Sequence, residues 1–206
     1  MVRPNRIKRL FLAALKLISP KLALHGLAVW MPLSTKTERD AIHSRLSEAL
    51  ALLKMHAPGR YSRVLRSLTG FLVFGTDSIR GDYDPQERTC RLAESFVLAP
   101  DTNAAAIAST VVHEATHGWL FDRGINYAEP IRHRVEQICI RASLSVARKL
   151  PDADDEIDRC ERQLTIEPDF FSNENLFDLD IQRLRETGCP EWFIRAVTWI
   201  ARRRAA

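Results

Sequence analysis

The chain has 206 residues, 46% of them hydrophobic and 27% charged, the balance of a folded globular protein long enough to bury a proper core. Its net charge of +4 is modest and gathers at the ends, in Arg3, Arg6, Lys8 and Arg9 and in Arg202, Arg203 and Arg204. There is no basic stripe with interleaved aromatics of the kind that marks a nucleic-acid binder, and no uncharged stretch is long enough to span a bilayer.

Residues 5–19 read as a basic amphipathic helix with Ile7, Leu10, Phe11, Ala14, Leu17 and Ile18 on one side. Lys16 breaks the apolar run and no small-x-small cleavage site follows, so a secretory signal is not expected. The expected fate of such a stripe is docking onto the chain's own core. Peripheral contact with an anionic membrane surface is the alternative, and the expected location is cytoplasmic.

Thr37-Glu38-Arg39-Asp40 reads as an acidic helix start, and the helix runs through Leu46, Leu50 and Leu53 to Pro58-Gly59. A shorter helix over Tyr61–Leu68 stops at Gly70. Phe71–Phe74 reads as a short buried strand closed by Gly75, Gly81–Pro85 as a turn, and Arg91–Ala99 as a second strand ending at Pro100.

Asp101, Thr102 and Asn103 supply N-cap candidates for a helix of small apolar residues that begins at Ala104, continues through Phe121 and stops at Gly124. Within it stands His113-Glu114-Ala115-Thr116-His117. Residues four apart on a helix share a face, so His113 and His117 can grip one ion together. Glu114 lies beside that face, within reach of a water held by the ion. This is the H-E-x-x-H signature of zinc proteases, in which the Glu is general base and not a ligand.

Catalytic zinc takes three protein ligands and keeps a fourth position open. The metzincin extension is excluded, because Leu120 and Arg123 stand where its Gly and His would be. Pro130 suits the first turn of a second helix that runs toward Lys149 and stops before Pro151. Val135, Ile138, Cys139, Ala142, Val146 and Leu150 form its apolar stripe. Glu136 sits beside the stripe and is the best third ligand, with Glu129 and His133 as rivals. Glu129 also suits a capping role. His133, one turn before Glu136, is open to three roles: ligand, hydrogen-bond donor to the transition state, or solvated surface histidine.

Over about residues 90–150 this pattern resembles the gluzincin metallopeptidases, and the chain's length suits the short members called minigluzincins. The resemblance implies an α+β fold, mostly helical, with a zincin-like core and a small antiparallel sheet packed on the active-site helix. It implies zinc as cofactor, His113, His117 and Glu136 as its ligands, Glu114 as base, and a peptide or protein as substrate. It also implies that an edge strand before the zinc helix pairs with the substrate, a role that falls on Leu92–Leu98. The family's Asp shortly after the third ligand is absent here, where Ile140 and Arg141 stand. Tyr127 and His133 are the nearest candidates to stabilise the oxyanion, with Tyr83 behind them. A non-catalytic binding or regulatory module on the same scaffold is the competing expectation.

Beyond Pro151 the chain reads as helical and solvated. An acidic start at Asp152–Glu156 lacks the glycine and alternation of a calcium loop. Asn173 or Asn175 caps a helix ended by Gly188, and a last helix follows Pro190. No repeat or linker divides the sequence, so one domain is expected. Cys90, Cys139, Cys160 and Cys189 are scattered without a C-x-x-C pair and are expected as reduced thiols.

Overall fold

The computed structural model describes residue 16 and residues 19–75, 79–186 and 190–205. The expected N-terminal helix over 5–19 therefore lies almost wholly outside the described residues, as does Cys189.

The chain is α+β and mostly helical. Strands β1 (Lys21–Leu24) and β2 (Leu27–Trp30) form a hairpin that the sequence reading does not assign. Its two-residue turn needs positive φ at both positions. Gly26 takes φ 86° at no steric cost, and His25 is held at φ 52° with its ring nitrogen 2.7 Å from the Tyr61 hydroxyl. Helix α1 (Lys36–His56) opens one residue earlier than its expected acidic start. Thr35 and Glu38 cap each other reciprocally there. Ile42, Leu46, Ala49, Leu50 and Leu53 make its buried face. Helix α2 (Pro58–Ser67) leads into β3 (Gly70–Val73), whose four residues are all buried.

The region 79–99 departs from expectation. Gly81–Asp84 is strand β4, with the turn displaced to residues 85–88. Strand β5 covers only Thr89–Leu92, and Glu94–Leu98 is a short helix, α3. The sheet order is β1-β2-β3-β5-β4. β2–β3 and β3–β5 pair in parallel, and β1–β2 and β4–β5 pair antiparallel. The sheet is thus mixed and not antiparallel, because α1 and α2 carry the chain across from β2 to β3 and a parallel pair needs such a crossover. The strand expected at Leu92–Leu98 cannot offer a free edge: β5 is flanked on both sides, and the edge strands are β1 and β4.

Helix α4 (Ala104–Phe121) runs through the centre of the fold, packed by α1, α2, β4 and the next helix, α5 (Glu129–Ala147). Asn103 caps it by accepting from the Ala106 amide at 2.9 Å, and Gly124 ends the turn beyond it at φ 77°. Its alanines let neighbours approach closely. Its buried hydroxyls on Thr110 and Thr116 donate to carbonyls one turn back, so their burial leaves no orphan donor. Helix α5 opens at Glu129–Pro130 as its proline requires, and Val135, Cys139, Ala142 and Val146 are buried. Ile138 is an exception to the expected stripe and stands 36% exposed.

Helices α6 (Asp154–Leu164), α7 (Asn173–Glu186) and α8 (Glu191–Ala205) follow, with a 3-10 turn over Pro168–Phe171. In α6, Glu156 is almost fully buried and bonds Arg80 at 2.6 Å and Arg159 at 2.9 Å. Cys90, Cys139 and Cys160 are free thiols in buried positions. No described helix is long and apolar enough to cross a membrane.

Candidate metal centre

One turn of α4 separates His113 from His117, so their rings meet edge-on along one face with centroids 4.9 Å apart. Their Nε2 atoms converge to 3.2 Å. Helix α5 brings Glu136 to the same point. Its Oε2 lies 3.2 Å from His113 Nε2 and its Oε1 lies 3.5 Å from His117 Nε2. The three side chains are only 12–16% exposed. Tyr127, from the loop between the helices, donates its hydroxyl to Glu136 Oε1 at 2.5 Å and meets the His117 ring edge-on. Arg132 lies over the Tyr127 ring and is itself tied to the Phe171 carbonyl and the Asn173 side chain.

Burial is the strongest influence on the protonation of each member. It depresses His117 to about 4, and the neighbouring His113 adds to the effect. Burial also pulls His113 down, but its bond to Glu136 and the charges of Glu114 and Glu136 outweigh this and leave it raised. For Glu136 burial acts upward; His113, His117 and the Tyr127 hydroxyl overcome it and hold the carboxyl at about 2. Glu136 is therefore held ionised and His117 neutral, the states a metal cation requires of its ligands, while His113 is biased toward its protonated form, which a bound cation would oppose.

Glu114 is 5% exposed and lies beside this group. Burial pushes it up to about 8; the charge of His113 opposes this, while the carboxylates of Asp82 and Glu136 add to it. A carboxyl so tuned can hold or release a proton near neutrality. A cation beside it would draw that value down.

The other sequence candidates lie elsewhere. Glu129 accepts from the Asn173 amide at 2.7 Å and from its Nδ2 at 2.6 Å, pinning the start of α7 to α5. His133 packs on Phe171 with ring centroids 5.6 Å apart, and its Nε2 is 3.4 Å from Gln137 Nε2. Among the described residues no hydrogen bond or ring contact joins His133 to the histidine pair. Tyr83 projects from β4 against Gly118, where a Cβ would meet its ring at 3.0 Å, and its buried hydroxyl lacks a hydrogen bond of good geometry.

By its sequence pattern Cys139 is a residue of the apolar stripe and a reduced thiol, not a ligand. Its Sγ and one nitrogen of each histidine all lie within 4.8 Å of one another. The signal was its position, three residues after Glu136 on the same helical face. Either Glu136 or Cys139 could thus join the two imidazoles around a metal. Burial raises the thiol well above its ordinary range, and the charges of Glu136 and Glu114 push the same way, which opposes the thiolate a metal needs.

Comparison with known proteins finds no family model that matches the chain, and no matching curated protein or solved structure.

Proposed function

We propose that the chain is a zinc-dependent hydrolase, most simply a metallopeptidase built on a zincin-like core, with His113, His117 and Glu136 as zinc ligands and Glu114 as general base. The supporting observation is the spacing of the three donors. Zinc bonds to nitrogen and oxygen run about 2.0–2.2 Å, so ligand atoms at tetrahedral corners stand about 3.4 Å apart. The donor separations here are 3.2, 3.2 and 3.5 Å. Three protein ligands leave the fourth corner for water or substrate, the arrangement of catalytic and not structural sites.

Bound there, zinc would supply a Lewis acid that polarises a carbonyl and acidifies a water. The chain's own groups carry the proton traffic. Glu114, buried and raised in pKa, accepts a proton from the attacking water and passes it to the leaving amine. Tyr127 orients Glu136 through its hydroxyl, as outer-shell donors orient ligating carboxylates. His133, expected as a donor to the oxyanion, is turned instead to Phe171 and Gln137. Tyr83, the weaker candidate, packs on Gly118 with Arg88, Asp122 and Asp84 as its charged neighbours.

A peptide as substrate is supported by the edge of β4. Gly81 approaches Thr110 and Tyr83 approaches Gly118, so the strand follows α4 along the stretch that holds the histidines. Its outer edge is unpaired among the described residues, and an unpaired edge offers main-chain donors and acceptors to an extended peptide. Beside it opens a recess of about 140 Å³ bordered by Phe74, Ile79, Asp82 and Arg91.

The approach of Cys139 favours a second reading. If its sulfur completes a four-donor shell with Glu136, the site is closed, and the chain is a non-catalytic module with a structural metal. Hydrolysis of a mixed peptide library by the Glu114→Gln variant tests the enzymatic reading. The variant is expected to keep its zinc and lose cleavage. Full activity in this variant, or loss of its metal, contradicts the assigned roles.

A further inference from the structure

Two arginines from separate segments lie over Trp119 and two more flank one of them, on a face of the molecule the metal centre does not use. Arg63 of α2 and Arg123, just past the end of α4, both place their guanidinium carbons over the Trp119 ring, at 4.4 and 3.9 Å. Arg60 and Arg66 flank Arg63 one turn away on either side, on the same helical face. None of the four is buried; Arg66 and Arg123 are exposed. Trp119 follows His117 by two residues, which turns it about 200° around α4, away from the histidine face.

Charge balance is what singles this group out. Among the described residues Arg60, Arg63, Arg66 and Arg123 make no ion pair. The adjacent acid, Asp122, is already held by Arg88 at 2.9 Å, which brings a fifth guanidinium to the cluster's edge. Arg88 also bonds the Arg66 carbonyl. Burial, then the charges of Arg60, Arg123 and Arg66, disfavour the protonated form of Arg63. The folded chain thus tolerates like-charge repulsion that an anion would relieve. Stacking on the indole restrains Arg63 and Arg123 before any ligand arrives, so less ordering remains to be done on binding. Guanidinium forks match the paired oxygens of a phosphate better than an ammonium does. The sequence shows no basic stripe here because Arg60, Arg63 and Arg66 alternate with apolar and small residues and Arg123 comes from a different element.

We propose that Arg63 and Arg123, held over Trp119, together with the flanking Arg60 and Arg66, form a binding site for a phosphate-type oxyanion, separate from the metal centre. The inference stands whether or not the histidine cluster holds zinc. The shared chemistry is the phosphate group, whose source is either a free anion or a lipid headgroup.

The test is thermal unfolding of the full chain in rising inorganic phosphate against chloride of equal ionic strength. It is paired with co-sedimentation on phosphatidylglycerol vesicles, with phosphatidylcholine vesicles as blank. The comparison set is the wild type, the double variant Arg63→Gln/Arg123→Gln, and Arg141→Gln, which removes an exposed charge from α5. Phosphate is expected to raise the wild-type midpoint by about 3 °C relative to chloride, with the same shift in Arg141→Gln and none in the double variant. A phosphate shift identifies a free anion. Vesicle binding that the double variant loses, without a phosphate shift, identifies a headgroup. The proposal is overturned if neither phosphate nor anionic vesicles act on the wild type, or if the double variant responds as Arg141→Gln does.

Discussion

Glu136 on α5 places Oε2 3.2 Å from His113 Nε2 on α4, so two helices joined by an exposed loop meet at a carboxylate–imidazole contact in a sheltered position. Glu136 is buried enough for its ionisation to be costly, yet its carboxyl is held at about 2 by the groups around it. A site in that state is prepared for positive charge, and the account of function rests on what supplies it.

Tyr127 is 45% exposed, but its hydroxyl is turned inward to Glu136. Tyr127→Phe removes that hydrogen bond and leaves the ring against His117. Zinc affinity is expected to fall about 10–100-fold, as for other outer-shell partners of metal ligands, with little change in unfolding midpoint. Competition with a chelator of known affinity reads the first effect, and a thermal melt reads the second.

Glu156 ties α6 to the segment before β4 through Arg80 and to its own helix through Arg159. Burial acts to raise its pKa, but the hydrogen bond and charge of Arg159 outweigh burial and leave it lowered. A carboxylate with a folded pKa below its unfolded value contributes stability that is fully present above the unfolded value, near 4.3. That contribution is lost as pH falls through the folded value. Glu156→Gln is therefore expected to cost about 2 kcal/mol at neutral pH, since it takes the charged partner from the half-buried guanidinium of Arg159 and from the more exposed one of Arg80. The gap to wild type should close as pH drops below about 4. Urea unfolding at a series of pH values measures both.

Gly70 opens β3 where the parallel strand β2 passes closest. A Cβ there would stand 2.2 Å from the Ala28 carbonyl oxygen and 2.8 Å from the Trp30 ring. Backbone cannot rotate away as a side chain can, so Gly70→Ala must spread the β2–β3 pair. The expected cost is about 3 kcal/mol, the upper part of the range for overpacking, read as a lower urea midpoint.

The long central elements were legible because local chemistry and tertiary role agree in them. Asn103, the alanine-rich run, Gly124 and Pro130 mark the limits of α4 and α5 to within a residue or two. Four-residue spacing alone puts His113 and His117 on one face. The short elements were not legible. Gly81–Asp84 has turn composition, and it is a strand only because β5 pairs with it and Arg91 engages Asp82 across the ladder. Glu94–Leu98 has strand composition in Phe96, Val97 and Leu98, yet it closes into a helical turn in which Val97 alone is fully buried. Lys21–Trp30 is too short in each half to show a period. The sheet order rests on long-range pairing that no local pattern encodes. At the metal centre, the approach of Cys139 to the histidines depends on how α4 and α5 pack, so its spacing could suggest the contact but not establish it.

The most direct test is the zinc content of the purified chain and of its Glu136→Ala and Cys139→Ser variants, measured by elemental analysis after exhaustive dialysis. The account predicts one zinc per chain in the wild type and in Cys139→Ser, and its loss in Glu136→Ala. A wild type without zinc, or a Glu136→Ala variant that keeps it, contradicts the proposed centre.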